Sequence, residues 1–316
     1  MQSQKYTGKN NTDITEVAKI HEEIKKMDVA TVVVSENKVS FSRKVEGLEL
    51  SFSEKKDSLI LNINVLDNTI IKNPVDFCFG SLNKNFNQNL KIKFNIGKSS
   101  YIKVYSFCIF PNADSAFHIM NGNIKIGENS TLEYIEKHTH NENSSNLNVN
   151  PKSNILVSKN AKFITRFEIL KGNVGNLKID YQIKLMEGAI CDSNVALKMS
   201  GKDTAEIKEN VFMNENNSKS VLISKIASFD NSVAKVFNYM ESTGKNNLGH
   251  IECHEILQNK GEVSAYPCIK VTDSSSRITH EASLGGVDNK KLESLMSKGL
   301  TKKKAENLLI SALLKS

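Results

Sequence analysis

Between about residue 48 and residue 272 the chain alternates apolar and polar residues in short runs, and a small corner residue precedes a new run at a nearly fixed interval. The aligned corners are Ser99-Ser100-Tyr101-Ile102, Asn129-Ser130-Thr131-Leu132, Asn160-Ala161-Lys162-Phe163, Gly188-Ala189-Ile190-Cys191, Asn231-Ser232-Val233-Ala234 and Gly261-Glu262-Val263-Ser264. Most intervals lie near thirty residues, with one longer gap. Runs such as LILNINVL, LKIKFNI, SYIKVYSFCIF, NLKIDYQIKL and SVAKVFNYM have period two, which places their Val, Ile, Leu and Phe on one face of a strand. Asn and Gly tolerate the backbone that a tight corner needs. Strands and corners at a fixed period, with no long helix between them, predict a β-solenoid in which each coil stacks its apolar face on the next. The competing arrangement is a β-sandwich of evenly spaced hairpins. It calls for Asn-Gly or Asp-Gly turns, and the one Asn-Gly lies within HIMNGNIKI.

Both ends of the chain read as helical. In DITEVAKIHEEIKKMD, Ile14, Val17, Ile20, His21 and Ile24 fall at helical spacing behind Asp13 as N-cap, which makes residues 1–47 an amino-terminal helical region ahead of a β-core at 48–286. In 287–316, Leu292, Leu295 and Met296 share a face behind Asp288, and Gly299 suits the position after a helix. Thr301 then caps a second helix carrying Ala305, Leu308, Leu309 and Leu313. Such a two-helix hairpin can shield the open end of a solenoid, whose strand edge invites aggregation, or serve as a docking handle.

Composition narrows the function. With 316 residues, 39% of them hydrophobic and 24% charged, the chain can bury a continuous core. No apolar run approaches the eighteen or so residues of a spanning helix, and MQSQKYTGKNNTD has no hydrophobic signal core, so a cytoplasmic protein without membrane contact is expected. Five cysteines with no Cys-x-x-Cys pair argue against a disulfide framework or a closed zinc knuckle. The net charge of +7 comes from dispersed lysines, with no Trp and 7% aromatic residues, which disfavours nucleic acid and favours an acidic partner. No phosphate-binding G-x-x-x-x-G-K-[ST] loop occurs, so no nucleotide is expected to bind this chain.

Chemistry concentrates in GHIECHEI, residues 249–256, and THEASLGG, residues 279–286. Cys253 offers a thiolate, His250, His254 and His280 offer imidazoles, and Glu252, Glu255 and Glu281 offer carboxylates, a set suited to iron, zinc or copper. Strand alternation puts Cys253 on the face of Glu255, away from His250 and His254. A cysteine so placed is either a ligand or a small buried hydrophobe. Cys78 and Cys108 are open to the same two readings, as packing residues or as a path for sulfur.

The segment THEASLG, followed by KLESLMSKGLTKKKAENLLISALL, resembles the carboxy-terminal signature of the SufB/SufD family. GHIECHEI is similar to that family's Glu-Cys-Asp-type strand, and FCFGSLNKNFNQNLKIKFNIG, FPNADSAFHIMNGNIKIGENSTLEYIEKHTH and GNVGNLKIDYQIKLMEGA resemble its core segments. The likeness spans about residues 70 to 316 and is greatest to the short archaeal-type members called SmsB. It implies a right-handed parallel β-helix flanked by helices, acting as a scaffold for iron–sulfur cluster assembly rather than as an enzyme with its own turnover. It further implies a homodimer with a transient cluster near the subunit interface, a SufC-like ABC-type ATPase on the carboxy-terminal helices, and apoproteins that accept the cluster. By motif position Cys253 matches the assembly cysteine, Glu281 the SufB-type glutamate and His280 a histidine kept in SufD, with His254 as an alternative ligand. Docking falls to Leu292, Leu295, Met296, Leu308 and Leu309.

Three departures bear on this. The bacterial SufB amino-terminal cysteine motif is absent, His254 replaces a small or acidic residue, and Lys302, Lys303 and Lys304 stand where acidic residues are usual. The alternatives are a SufD-like subunit that binds the ATPase and no cluster, and a β-helix carbohydrate hydrolase or lyase, which would need paired acids on neighbouring coils.

Overall fold

The computed structural model describes residues 28–144 and 146–315. The helix expected behind Asp13 lies outside them. Strands begin at Thr31, ahead of the expected boundary at residue 48. The first seven are β1 (Thr31–Ser35), β2 (Lys38–Arg43), β3 (Leu48–Lys55), β4 (Ser58–Val65), β5 (Val75–Gly80), β6 (Asn85–Ile96) and β7 (Tyr101–Phe110). The next six are β8 (Ser115–Ile126), β9 (Thr131–His140), β10 (Asn146–Val157), β11 (Lys162–Lys171), β12 (Asn176–Leu185) and β13 (Ile190–Met199). The last six are β14 (Thr204–Met213), β15 (Lys219–Ser228), β16 (Val233–Ser242), β17 (Leu248–Leu257), β18 (Glu262–Val271) and β19 (Arg277–Gly285). Two helices follow, α1 (Asn289–Ser297) and α2 (Lys302–Lys315).

From β4 onward the chain crosses back and forth between two sheets. A ten-stranded sheet runs β19-β17-β15-β13-β11-β9-β7-β5-β1-β2, and a nine-stranded sheet runs β18-β16-β14-β12-β10-β8-β6-β4-β3. Neighbours from β5 to β19 pair in parallel, a pairing that hairpins cannot make, so the sandwich is excluded and the solenoid stands. In β12, Leu177, Ile179, Tyr181, Ile183 and Leu185 point inward while Lys178 and Lys184 face solvent, as period two dictates. Phe77, Phe79, Phe94, Phe110 and Phe167 are fully buried between the sheets, each contributing roughly 1.5–3 kcal/mol by leaving water.

The corners form two ladders rather than the single one expected. Ser99, Asn129, Asn160, Gly188, Asn217 and Asn246 have positive φ and lead into the ten-stranded sheet. Gly201, Asp230 and Asn259 have positive φ and lead into the other. The alignment by sequence mixed them: Asn231 and Gly261 each follow a left-handed residue of the second ladder. Gly188 is held to glycine twice over, since its φ is +67° and a Cβ there would lie 2.3 Å from Asn160 Oδ1.

The two ends of the stack differ. At the amino-terminal end β2 and β3 turn back antiparallel on β1 and β4. At the other end β18 and β19 are edge strands with no further partner among the described residues. The helices do not shield that edge. Ile310 and Leu314 of α2 pack with Ala227, Leu170, Phe229 and Ile256 on the outer face of the ten-stranded sheet, and Arg166 donates to the Leu314 carbonyl at 2.9 Å. The expected caps hold: Asp288 accepts from the Lys291 amide, Gly299 has φ +92°, and Thr301 accepts from the Lys304 amide.

Carboxyl groups inside the stack couple stability to pH. Glu209 is fully buried; Ser193 donates to its Oε1 at 2.5 Å, Oε2 has no partner among the described residues, and burial pushes the carboxyl up to about 7. An unfolded glutamate releases its proton near 4.5, so the folded chain binds more protons between these values and loses stability as pH rises through them. Glu209→Gln should therefore raise Tm relative to the parent by more at pH 8 than at pH 5, as measured by calorimetry. An equal increment at both values would mean that Glu209 is already ionised in the fold.

Candidate functional site

Residues 248–257 form β17, one strand in from the bare edge of the ten-stranded sheet. Ile251, Cys253 and Glu255 point into the stack and His250, Glu252 and His254 point out, as alternation requires. Cys253 is 2% exposed, covered on one side by Ser224 of β15 and on the other by Ala282 of β19. Burial raises its thiol above the ordinary range, with Glu255, Glu209 and Glu252 adding to the rise and a hydrogen bond with Ser224 opposing it. As folded, this cysteine is a protonated thiol and not an open metal ligand.

Beside it, Glu255 is pushed up to about 7 by burial and accepts from Ser224 at 3.4 Å, with Oε2 unpartnered among the described residues. Across the core, Asn238 of β16 is buried with both amide atoms unpartnered in the same sense. Cys253 thus opens onto a polar interior whose hydrogen-bonding capacity is unfilled, next to the edge of the stack.

The edge strand divides the expected ligands. His280 is level with Ile251 and shares the inward side with Cys253, but it is exposed because no coil follows. Glu281 is level with Glu252 on the outward side. There, Glu252 is bonded to His254 and lies 4.0 Å from His250 Nε2, and His250 Nδ1 meets Thr279 Oγ1 at 2.9 Å. His254 is therefore half-buried and engaged by Glu252, on the opposite face of the sheet from Cys253. Within one chain the fold places His280 and Glu255 on the same side of the sheet as Cys253, and Glu281 on the other.

A second group was missed by sequence reasoning. Cys108, His118, Glu136 and His138 converge in the core with ligand atoms within 4.8 Å of one another. The alternation of Glu136, His138 and His140 in EYIEKHTH marks two of its residues, with His140 beside them, as one inward face, whereas His118 joins only because the two sheets face each other. Cys78 lies on the outer side of β5, buried under Phe41, Leu82 and Phe107, and Cys191 is buried inside β13.

The docking residues are also sorted by the fold. Leu292 is buried, Leu295 and Leu309 are half-buried, and Met296 and Leu308 are exposed to 41% and 50%. No helix among the described residues is long and apolar enough to cross a membrane.

The model of the SUF-system iron–sulfur cluster assembly SufBD core domain matches residues 80–313. The chain belongs to the SufBD family. An iron–sulfur cluster assembly SufBD family protein of Methanocaldococcus jannaschii is 32% identical over 283 residues, covering 90% of this chain and 89% of that protein. One of Pyrococcus horikoshii is 31% identical over 286 residues, covering 90% and 87%. A second from Pyrococcus horikoshii is 23% identical over 246 residues, covering 71% of this chain and 54% of that protein. The SufBD signature ends inside α2, so both carboxy-terminal helices belong to the shared core.

The thiols differ enough in exposure to be told apart chemically. Iodoacetamide should label the exposed Cys268 of the native chain quickly and leave the buried Cys78, Cys108, Cys191 and Cys253 unlabelled until denaturant is added, as read by peptide mass spectrometry. Fast labelling of Cys253 would mean that β19 leaves the sheet unaided.

Proposed function

We propose that this SufBD protein is a scaffold, without turnover of its own, that builds a transient iron–sulfur cluster at Cys253 between two copies of the chain. The observation that carries this reading is that Cys253 lies under a single edge strand, and that strand runs through Gly285 and Gly286 directly into the helical hairpin. The bare edges of β18 and β19 expose Ile269, Val271 and Leu284, and an unpaired edge bearing apolar residues is suited to pairing with a second copy. Two copies meeting there bring two Cys253 thiols, with His280 and Glu281 of each β19, to one interface.

An ABC-type ATPase supplies the work. It docks on Met296 and Leu308, the two large exposed apolar residues among those described in the hairpin, beside the exposed Lys302, Lys303 and Lys304, so its contact surface is apolar with an acidic rim. Movement of the ATPase pulls on the hairpin, shifts β19 and uncovers Cys253. The thiol then loses the burial that keeps it protonated and can bind iron as thiolate. The finished cluster passes to acceptor apoproteins in the cytoplasm.

Anaerobic reconstitution with iron and sulfide, followed by absorption and Mössbauer spectroscopy, tests the ligand. Cys253→Ser should lose the cluster while keeping the β-fold, and Glu281→Ala should retain a reduced yield. A normal cluster yield on the Cys253→Ser chain would overturn the assignment, and a parent chain that takes up none would point to a SufD-like subunit. For docking, the double variant Met296→Glu, Leu308→Glu should bind the ATPase ~10-fold or more weakly in a pull-down titration. Undiminished affinity would remove the hairpin from the interface.

A further inference from the structure

Deep in the stack, well away from Cys253, four side chains from three strands turn toward one point. Cys108 of β7 and His138 of β9 are level partners on the inward face, Glu136 precedes His138 by two residues on that face, and His118 reaches them from β8 in the opposite sheet. All four are buried. Strands β11, β13 and β15 separate β9 from β17, so the group is distinct from the assembly site.

The surrounding hydrogen bonds fix the ring protons. Gln88 Nε2 donates to the Glu36 carbonyl at 2.5 Å, which turns its amide oxygen toward His118. His118 Nδ1, 2.8 Å from that oxygen, is then the donor. Its Nε2 remains a lone pair with no partner among the described residues, on a side chain with no exposure. His140 Nδ1 donates to the Asn173 carbonyl at 2.8 Å, so His140 Nε2 accepts from His138 Nδ1 at 3.1 Å. That leaves His138 Nε2 as a second lone pair, 2.7 Å from Glu136 Oε1. Two acceptors at this distance need a proton or a cation.

We propose that Cys108, His118, Glu136 and His138 form a buried site for one divalent first-row transition-metal ion of the zinc or ferrous type. One thiolate, two imidazoles and one carboxylate make a four-ligand set of borderline softness. Each histidine ligand has its other ring nitrogen already committed, His118 to Gln88 and His138 to His140, which is the outer-shell arrangement that orients metal-binding imidazoles. Charge selects a divalent ion. The site would present one thiolate and one carboxylate, whose two protons leave on binding, and two neutral imidazoles. Exchanging those two protons for M²⁺ leaves the interior neutral again, whereas a monovalent or trivalent ion would bury a net charge. The present spread of 4.8 Å exceeds the roughly 3.5 Å between ligand atoms of a tetrahedral site by an amount that side-chain rotation can close.

Full-length Cys253→Ser chain, purified anaerobically and stripped of metal, keeps this test separate from that of cluster assembly. Titrated with Co²⁺, it should bind one equivalent with tetrahedral d–d bands and a thiolate-to-cobalt charge-transfer band, and Zn²⁺ should displace the cobalt. Adding Cys108→Ser should abolish the charge-transfer band, and Gln88→Leu, outside the ligand set, should weaken binding ~10-fold. Because Cys108→Ser alters a fully buried core side chain, X-ray absorption of the one-zinc form of the unaltered site gives an independent reading. One sulfur near 2.3 Å and three nitrogen or oxygen ligands near 2.0 Å are expected, on the order of the usual zinc distances. No binding, a charge-transfer band that survives Cys108→Ser, or a shell without a single sulfur would overturn the proposal.

Discussion

Parallel in-register pairing makes each coil the hydrogen-bonding partner of the next, so no interior strand is complete alone and the last one has no partner among the described residues. The edge at β18 and β19 follows from this and not from a local weakness of sequence. Ala282 of β19 is paired on one side with Cys253, and on the other side its backbone has no partner among the described residues. A cysteine one strand in from such an edge is shielded from solvent yet only one displaced strand from exposure. The scaffold role proposed for this chain needs both conditions.

Polar residues inside the stack have a cost that the apolar ladders offset. Glu136, Glu209 and Glu255 are each pushed up to about 7 by burial, which means that the fold prefers them protonated and tolerates them because hydroxyls and imidazoles accept or supply their hydrogen bonds. Between them run apolar stretches of the same rows, such as Ile169, Leu197 and Ile226 between His138 and Glu255, which keep the two sheets packed where the polar residues loosen them. The interior is therefore zoned along its length, with a histidine-rich group near β8 and β9 and a carboxyl-rich group near β14 and β17.

Period two made the fold legible. The alternation in NLKIDYQIKL is visible as text, and it assigned Cys253 and Glu255 to one face before any coordinates. The corners were legible in kind but not in sorting, because Asn231 and Gly261 resemble the left-handed positions that Asp230 and Asn259 occupy, and only the path of the chain tells the two ladders apart. Glu281 illustrates a different limit. Motif position pairs it with Cys253, yet alternation on β19 sends it to the outer face beside Glu252, so only a second chain or a moved strand can unite them. In α2 the stripe read from Ala305, Leu308, Leu309 and Leu313 was one residue out of phase at its far end. The sheet takes Ile310 and Leu314, and Leu308 is left in solvent, because a helix with apolar residues on two sides is oriented by what it meets. His118 gave no signal at all, since its neighbours are set by the pairing of the sheets.

The regular coil also sets a ruler. Strands of one sheet are spaced by about 4.8 Å, and β9 and β17 are four steps apart in the ten-stranded sheet, so the histidine group and Cys253 lie ~19 Å from each other along the axis. An insertion of one residue inside a strand would turn its inward side chains outward and break the stack, whereas a whole coil of 29 residues, the step from Asn217 to Asn246, can be added or lost without disturbing either face. Length in this fold is thus quantised. Two interior groups can be moved apart or together only by whole coils, and related chains of different size should differ in that distance by multiples of one strand spacing.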